Sequence, residues 1–566
     1  MWTPLRPEEA PLRPAHRWAA IALIVGGAGL RLWQWTVGRS FWFDEATVAV
    51  GVLLHPDRSL LGAHEFGQVS PPLWLALVGL STSVAGASEA AMRLPTLLAS
   101  IGYLPALWVV LRRWAGARAA LLGLGLAAVS PALLEYSAEL KAYGADPLVS
   151  LALMALIGDA VRRDALPLPR AALYGLALGL LTWLSMFAIV VIVGSLTIVV
   201  AGRAAVRRSW HEQRLPGYLA LAIIAALGFV LVYHLHYRVE PWVDDYLDRF
   251  WGLRFWSGGP PGLPGRIWAS LIDVVSPLFF GHGGDLFPAV ILLLMAIGLA
   301  RSLARGPAVA ALLAGPLAVW AVLALARQVP VYTRLGLFAA PLLTILLVSG
   351  WEAASAWLGQ QWPRGGRWGA GLLAAWLLLA PASASVRGSL DVLDRRPNAG
   401  PVVRRMLERV DRDEPVYVYA RAVPEWLYYS TDWTAPDRRR IGLATAEHWY
   451  PDGATFSNAP PRSVRQLVAV DEFRYRYRGF EEIYGQSSGF EQRAGVRGPR
   501  PVDPGWTAAE AGRMLVGEPR CVWLVVLHAS RWEREPLLAE LETRGYRRDG
   551  GVAGPRSRID RVCRGS

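Results

Sequence analysis

Apolar and polar positions alternate in long blocks over the first two thirds of the chain. Up to about residue 385, apolar runs of roughly 16–22 residues, the length that crosses a bilayer as a helix, are separated by short loops carrying arginine. Runs near 18–37, 91–111, 117–134, 146–161, 171–186, 188–202, 217–235, 285–300, 307–325, 333–350 and 369–385 predict eleven spans. One apolar segment stands apart. PPLWLALVGLSTSVAG (71–86) is short, opens on two prolines and is diluted with Ser, Thr and Gly, which predicts a helix lying in or dipping into the interface, with a twelfth span as the alternative.

Beyond residue 385 the blocks shorten. PVYVYA, AVPEWLYYS, CVWLVVLHAS and REPLLAELETRG read as strands and helices of a small α/β domain spanning 386–566, and 451–505 reads as an extended loop. The predicted architecture is therefore a polytopic α-helical membrane domain over 1–385, with an outer loop at 38–90, followed by an α/β domain.

Arginine placement orients the spans. Arg112/Arg113/Arg118, Arg162/Arg163/Arg170, Arg203/Arg207/Arg208/Arg214, Arg301/Arg305 and Arg364/Arg367 fall in alternate loops, which places those loops and the N-terminus in the cytoplasm. The intervening loops carry the acids: Asp44, Glu45, Asp57 and Glu65; Glu135, Glu139 and Asp146; Glu240, Asp244, Asp245 and Asp248. With eleven spans the C-terminal domain faces outward. The net charge of +13 follows from this arginine topology rather than from a nucleic-acid surface. The first apolar run continues to Trp35 with no small-residue cleavage site, so it reads as an uncleaved span. The two cysteines, Cys521 and Cys563, lie in short β-like runs, and either a disulfide or two free thiols fits the sequence.

Four clusters at the outward ends can carry chemistry. They are Phe41-Trp42-Phe43-Asp44-Glu45; Gln68 to Trp74 around Pro71-Pro72; EYSAELKAYGAD (135–146), in which a helix over 135–143 would align Tyr136, Glu139 and Tyr143; and VPVYTRLGLFAAP (329–341) with Tyr332 and Arg334. Carboxylates at an apolar boundary are costly unless partnered or used. His234 and His236 diverge on a helix and read as interface histidines; His282 and Asp285 could flank the site; Gly175 and Gly179 read as close helix packing. The sequence holds no phosphate-binding P-loop and no dinucleotide fingerprint.

The order of these motifs resembles the bacterial glycosyltransferase family 39-like proteins of the GT-C superfamily, relatives of protein O-mannosyltransferases and of the aminoarabinose transferases of lipid A. The resemblance rests on the first span, FWFDEA, the Gln68 to Leu73 segment, Glu89 to Leu94, YSAELKAYGAD and the Arg334 to Pro341 stretch, and it covers about 18–350. It implies inverting transfer of a sugar from a polyprenyl-phosphate donor to an acceptor hydroxyl on a glycan, lipid or protein, at the outer face of the bacterial cytoplasmic membrane. It also implies roles: Asp44 as base, Glu45 positioning the acceptor or a metal, Lys141 and Arg334 holding phosphate, Tyr332 donating a further hydrogen bond, and Glu139, Tyr143 and Gln68 lining the substrate site. Divalent-metal dependence stays open. This chain departs from the family pattern in having Lys141-Ala142-Tyr143 where Arg-Pro-Tyr is frequent, Ser70 before the double proline, and Leu335 after Arg334. A transporter or scaffold of an envelope polysaccharide pathway is the rival, but transporters keep charged or broken elements near mid-membrane, whereas here the acids and cations gather at span ends.

Overall fold

The computed structural model describes residues 13–54, 70–163, 166–196, 215–237, 254–256, 262–280, 288–363, 365–390, 398–411, 414–419, 422–430, 433, 492–494, 504–515, 517–527, 531–555 and 557–565. Gln68, His282, Asp285 and the acids at 57, 65, 240, 244, 245 and 248 lie outside the described residues.

A helix stands at each of the eleven expected positions. In chain order the helices of the first domain are α1 (Pro14–Thr36), α2 (Phe43–Leu54), α3 (Pro72–Ala85), α4 (Glu89–Val129), α5 (Pro131–Ser137), α6 (Asp146–Arg162), α7 (Leu168–Leu181), α8 (188–196), α9 (Leu215–Val232), α10 (Leu263–Phe279), α11 (Pro288–Arg305), α12 (Pro307–Leu325), α13 (Ala340–Gln361) and α14 (Gly365–Leu390). Among the described residues, five helical stretches are long and apolar enough to cross a bilayer: Glu89–Val129, Pro216–Tyr237, Pro288–Arg305, Leu337–Gln361 and Trp368–Gly388. The fold is thus that of a polytopic helical membrane protein.

Local chemistry sets the breaks. Gly116 interrupts α4 with φ 81°, a left-handed conformation that a side chain disfavours, and so divides the two spans expected at 91–111 and 117–134. α3 has 14 residues, about 21 Å of helix, short of the ~30 Å hydrocarbon core. Gly175 and Gly179 of α7 do face a neighbouring helix: a side chain at Gly175 would meet Ile224 Cβ of α9 at 2.8 Å. Arg31 is fully buried in α1 and donates to Ser100 Oγ at 2.9 Å and to the Ala127 carbonyl at 3.0 Å, so its charge caps the end of α4.

Two expectations are corrected. Residues 135–143 are not one helix: α5 stops at Ser137 and a 3₁₀ turn occupies Ala142–Gly144, with Lys141 extended between them. The span expected from 333 begins later, because Tyr332–Gly336 turn before a 3₁₀ step at Leu337–Ala339 leads into α13 with Pro341 in its first turn. Between the predicted spans, α2 (Phe43–Leu54) and α10 (Leu263–Phe279) are further helices, the second amphipathic.

The second domain comprises α15 (Ala399–Leu407), β1 (Val416–Val418), α16 (Val423–Ser430), β2 (Gln492–Ala494), α17 (Pro504–Met514), β3 (Cys521–Val526), α18 (Arg531–Thr543), β4 (Tyr546–Gly554) and β5 (Ser557–Arg564). Its sheet has the order β2-β1-β3-β5-β4, parallel at β2-β1-β3 and antiparallel at β3-β5-β4. Cys521 and Cys563 are register partners on β3 and β5 and form a disulfide.

Alternation along the strands gives the sheet two buried faces. Tyr417, Tyr419, Val522, Leu524 and Val526 pack under α17 and α18. Val416, Val418, Trp523 and Val525 join a core that also takes in α15, α16, Phe41, the inner side of α2, and Trp74, Leu75 and Val78 of α3. The α/β domain is therefore built onto the helix that carries Asp44 and Glu45.

Candidate active site

α2 opens at Phe43, so Asp44 and Glu45 fall in its first turn, where the helix dipole favours carboxylates. Adjacent helical positions diverge by about 100°, and the two carboxylates meet different partners.

Glu45 turns inward. Its oxygens accept from Arg93 Nε and Nη2 of α4, both at 2.8 Å, and Oε1 also accepts the Leu140 N–H at 2.7 Å. Arg93 donates a further bond to the Arg39 carbonyl at 2.6 Å and stacks over Phe41 at 4.7 Å. Arg39 in turn reaches the Ala138 carbonyl at 3.1 Å. Burial alone would push the Glu45 carboxyl up. The Arg93 guanidinium and the Leu140 amide outweigh it and hold the group below its ordinary value. This fan of bonds ties α2, α4 and the segment after α5 together at the level of Lys141.

Asp44 turns toward the cations. Its Oδ2 accepts from Arg334 Nη1 at 2.8 Å, across 290 residues of sequence. The Arg334 guanidinium lies 5.9 Å from the Tyr143 ring centre, and Tyr143 meets Tyr136 edge-on at 6.4 Å. Lys141 is 6% exposed and feels the charges of Asp44, Arg334 and Glu139. Burial draws its ammonium below the ordinary lysine value, Asp44 and Glu139 resist that, and Arg334 adds to it. Its backbone is fixed as well: the Lys141 carbonyl accepts from Thr96, whose hydroxyl is also held by Trp74 Nε1. Burial raises the Tyr143 phenol, so it stays a neutral donor.

Asp44, Lys141, Tyr143 and Arg334 thus come together from three separate segments, with Glu139 buried beside them. The Tyr332 ring lies 4.7 Å from Arg254, which is ion-paired to Asp273 of α10. Of the two histidines, His236 is buried against Trp183 at 6.4 Å. Among the described residues no group of three His, Cys, Asp or Glu is arranged to hold a metal ion.

Sequence reasoning gave no role to Arg93, Arg39 or Tyr429. For Arg93 a signal existed: an arginine inside an apolar run predicts a buried acidic partner, and Glu45 is that partner. Tyr429, in the C-terminal domain, carried none.

The full-length architecture is similar to crystal structures of ArnT from Cupriavidus metallidurans. The form bound to undecaprenyl phosphate aligns at TM-score 0.53 and 14% identity, covering 97% of this chain and 98% of that one. The fold is that of this ArnT structure. The apo form of ArnT aligns at TM-score 0.51 and 13% identity over the same shares of both chains. The profile of the dolichyl-phosphate-mannose-protein mannosyltransferase family matches residues 69–234, a stretch that holds Arg93, Lys141 and Tyr143 but neither Asp44 nor Arg334. No curated protein matches the sequence significantly. The chain therefore shares the fold of the ArnT structures over nearly all of its length at low sequence identity.

Proposed function

We propose that this GT-C chain transfers a sugar, with inversion, from a polyprenyl-phosphate donor to an acceptor hydroxyl at the outer face of a bacterial cytoplasmic membrane. The observation that carries the reading is the Asp44–Arg334 ion pair with Lys141 and Tyr143 beside it. A single displacement needs a base for the acceptor proton and cations for the departing phosphate, and this cluster holds both within one site.

Asp44 is paired with Arg334 as its carboxylate. The acceptor O–H then gives its proton to the Asp44 carboxylate as its oxygen bonds to the anomeric carbon. The bond from that carbon to the phosphate oxygen breaks on the opposite side, and polyprenyl phosphate leaves with its new charge held by Arg334 and Lys141. In this reading the Tyr143 phenol, beside Arg334, donates to the same group. Lysine at 141 is a point charge rather than a planar fork, so it neutralises phosphate without fixing its orientation. Glu45 serves by position: the Arg93 and Leu140 bonds set α2 and the backbone leading into Lys141. The disulfide of the C-terminal domain supports placing that domain in an oxidising space outside the membrane.

The test is a panel of polyprenyl-phosphate sugars offered to the purified protein with envelope extract as acceptor source. Consumption of one donor, with release of polyprenyl phosphate, is the expected result. Donor binding without turnover on every member of the panel would favour a carrier or scaffold.

A further inference from the structure

The stretch that leads into α2, residues 38–42, has no regular secondary structure, so the position of Asp44 depends on what holds that stretch. Much of the hold comes from the far end of the chain. Ser40 Oγ donates to Asn398 Oδ1 at 2.6 Å and accepts the Gly400 N–H at 3.0 Å. The Phe41 N–H donates to the Tyr429 hydroxyl at 2.5 Å, and that hydroxyl donates to Glu89 Oε1 at 3.1 Å. Tyr428 donates to the Ala87 carbonyl at 2.9 Å, and its ring meets Phe41 at 4.8 Å.

Glu89 and Arg93 are one turn apart on α4. The Tyr429 bridge therefore runs alongside the Glu45–Arg93 link, one turn earlier, the first tying the stretch leading into α2 and the second tying α2 itself to the same helix. Gly400 is fitted to this contact, because a side chain there would meet the Tyr429 ring at 2.8 Å and Ser40 Oγ at 3.1 Å.

We infer that Tyr429 is a positioning residue for the Asp44 helix, and that α15 and α16 of the C-terminal domain act as a latch completing the active site rather than as a separate module. The catalytic part of this role rests on the transferase reading of Asp44; the latch itself does not.

Two variants test it in the full-length protein. Tyr429→Phe keeps the ring and removes the bridge; Gly400→Ala keeps the hydroxyl and wedges the contact. The expected result is amide exchange faster by about tenfold in peptides covering 38–54, with peptides from β3 and β5 unchanged. With it should come a fall in kcat at unchanged affinity for undecaprenyl phosphate, since the phosphate cations are not part of the latch. Unchanged exchange over 38–54 in both variants overturns the inference. Faster exchange with full turnover also overturns it, by showing a tie that positions nothing. If wild type itself turns over no donor, the transferase reading fails, and the exchange result alone decides whether the latch exists.

Discussion

Glu45→Gln is the perturbation with the largest calculable effect. The carboxylate is 1% exposed and Arg93 2% exposed, and they share two 2.8 Å bonds, with a third bond to Leu140. Glutamine can accept one bond from Arg93 but cannot neutralise it, so a guanidinium is left buried and under-compensated. Removing one partner of such a pair costs about 3–5 kcal/mol, which at 1.4 kcal/mol per decade is about two to three and a half orders of magnitude in a local opening equilibrium. The assay is hydrogen exchange in peptides covering 43–54 and 138–145, together with apparent melting temperature. Arg93→Met should cost a similar amount by stranding Glu45. The double variant Glu45→Gln, Arg93→Met should cost clearly less than the sum of the two, because no lone charge remains. Additive losses, or single losses below about 1 kcal/mol, would refute the claim that this pair anchors the helix.

Other outcomes follow from the same geometry. Glu425 of α16 is fully buried and its carboxyl is pushed well above the ordinary value by burial, with Asp44 adding to the effect. The folded form thus keeps a proton that the unfolded chain releases, so stability falls as pH rises above about 4.5; Glu425→Gln should raise the melting temperature more at pH 8 than at pH 5, and a pH-independent change would contradict this. Lys141, lowered by burial, should lose its charge at a lower pH than an ordinary lysine, so undecaprenyl-phosphate affinity should weaken with rising pH in wild type and lose that limb in Lys141→Ala, at a baseline cost of about tenfold or more. Replacing Cys521 and Cys563 by serine opens a 42-residue separation closed by the disulfide and should cost the C-terminal domain about 2–5 kcal/mol, read as earlier proteolysis of that domain; wild-type resistance would show the sheet holds without it.

The apolar helices were legible because long apolar runs have few other uses, and the structure has a helix at each predicted position; among the described residues five helical stretches are long and apolar enough to cross a bilayer. The short helices between the predicted spans were not. α2 mixes Asp44 and Glu45 with apolar residues, and its helix is fixed by packing against α16 and α3, contacts that lie hundreds of residues away or across a loop. The same distance hid the division of labour between the two carboxylates. Their adjacency in sequence says nothing about partners, whereas 100° of helical rotation sends one to Arg93 and the other to Arg334. Tyr136 and Tyr143 did meet, through a turn instead of the helix expected between them. Tyr332, two residues from Arg334, turned toward Arg254 because residues 332–336 form a turn rather than the start of a span.

The central claim is that Asp44 is the base. Single-turnover consumption of the donor identified by the sugar panel, wild type beside Asp44→Asn, tests it most directly, with undecaprenyl-phosphate binding measured on both. The account predicts a loss of about 10²–10⁴ in rate with phosphate binding retained. Asp44→Asn turning over at the wild-type rate would contradict it.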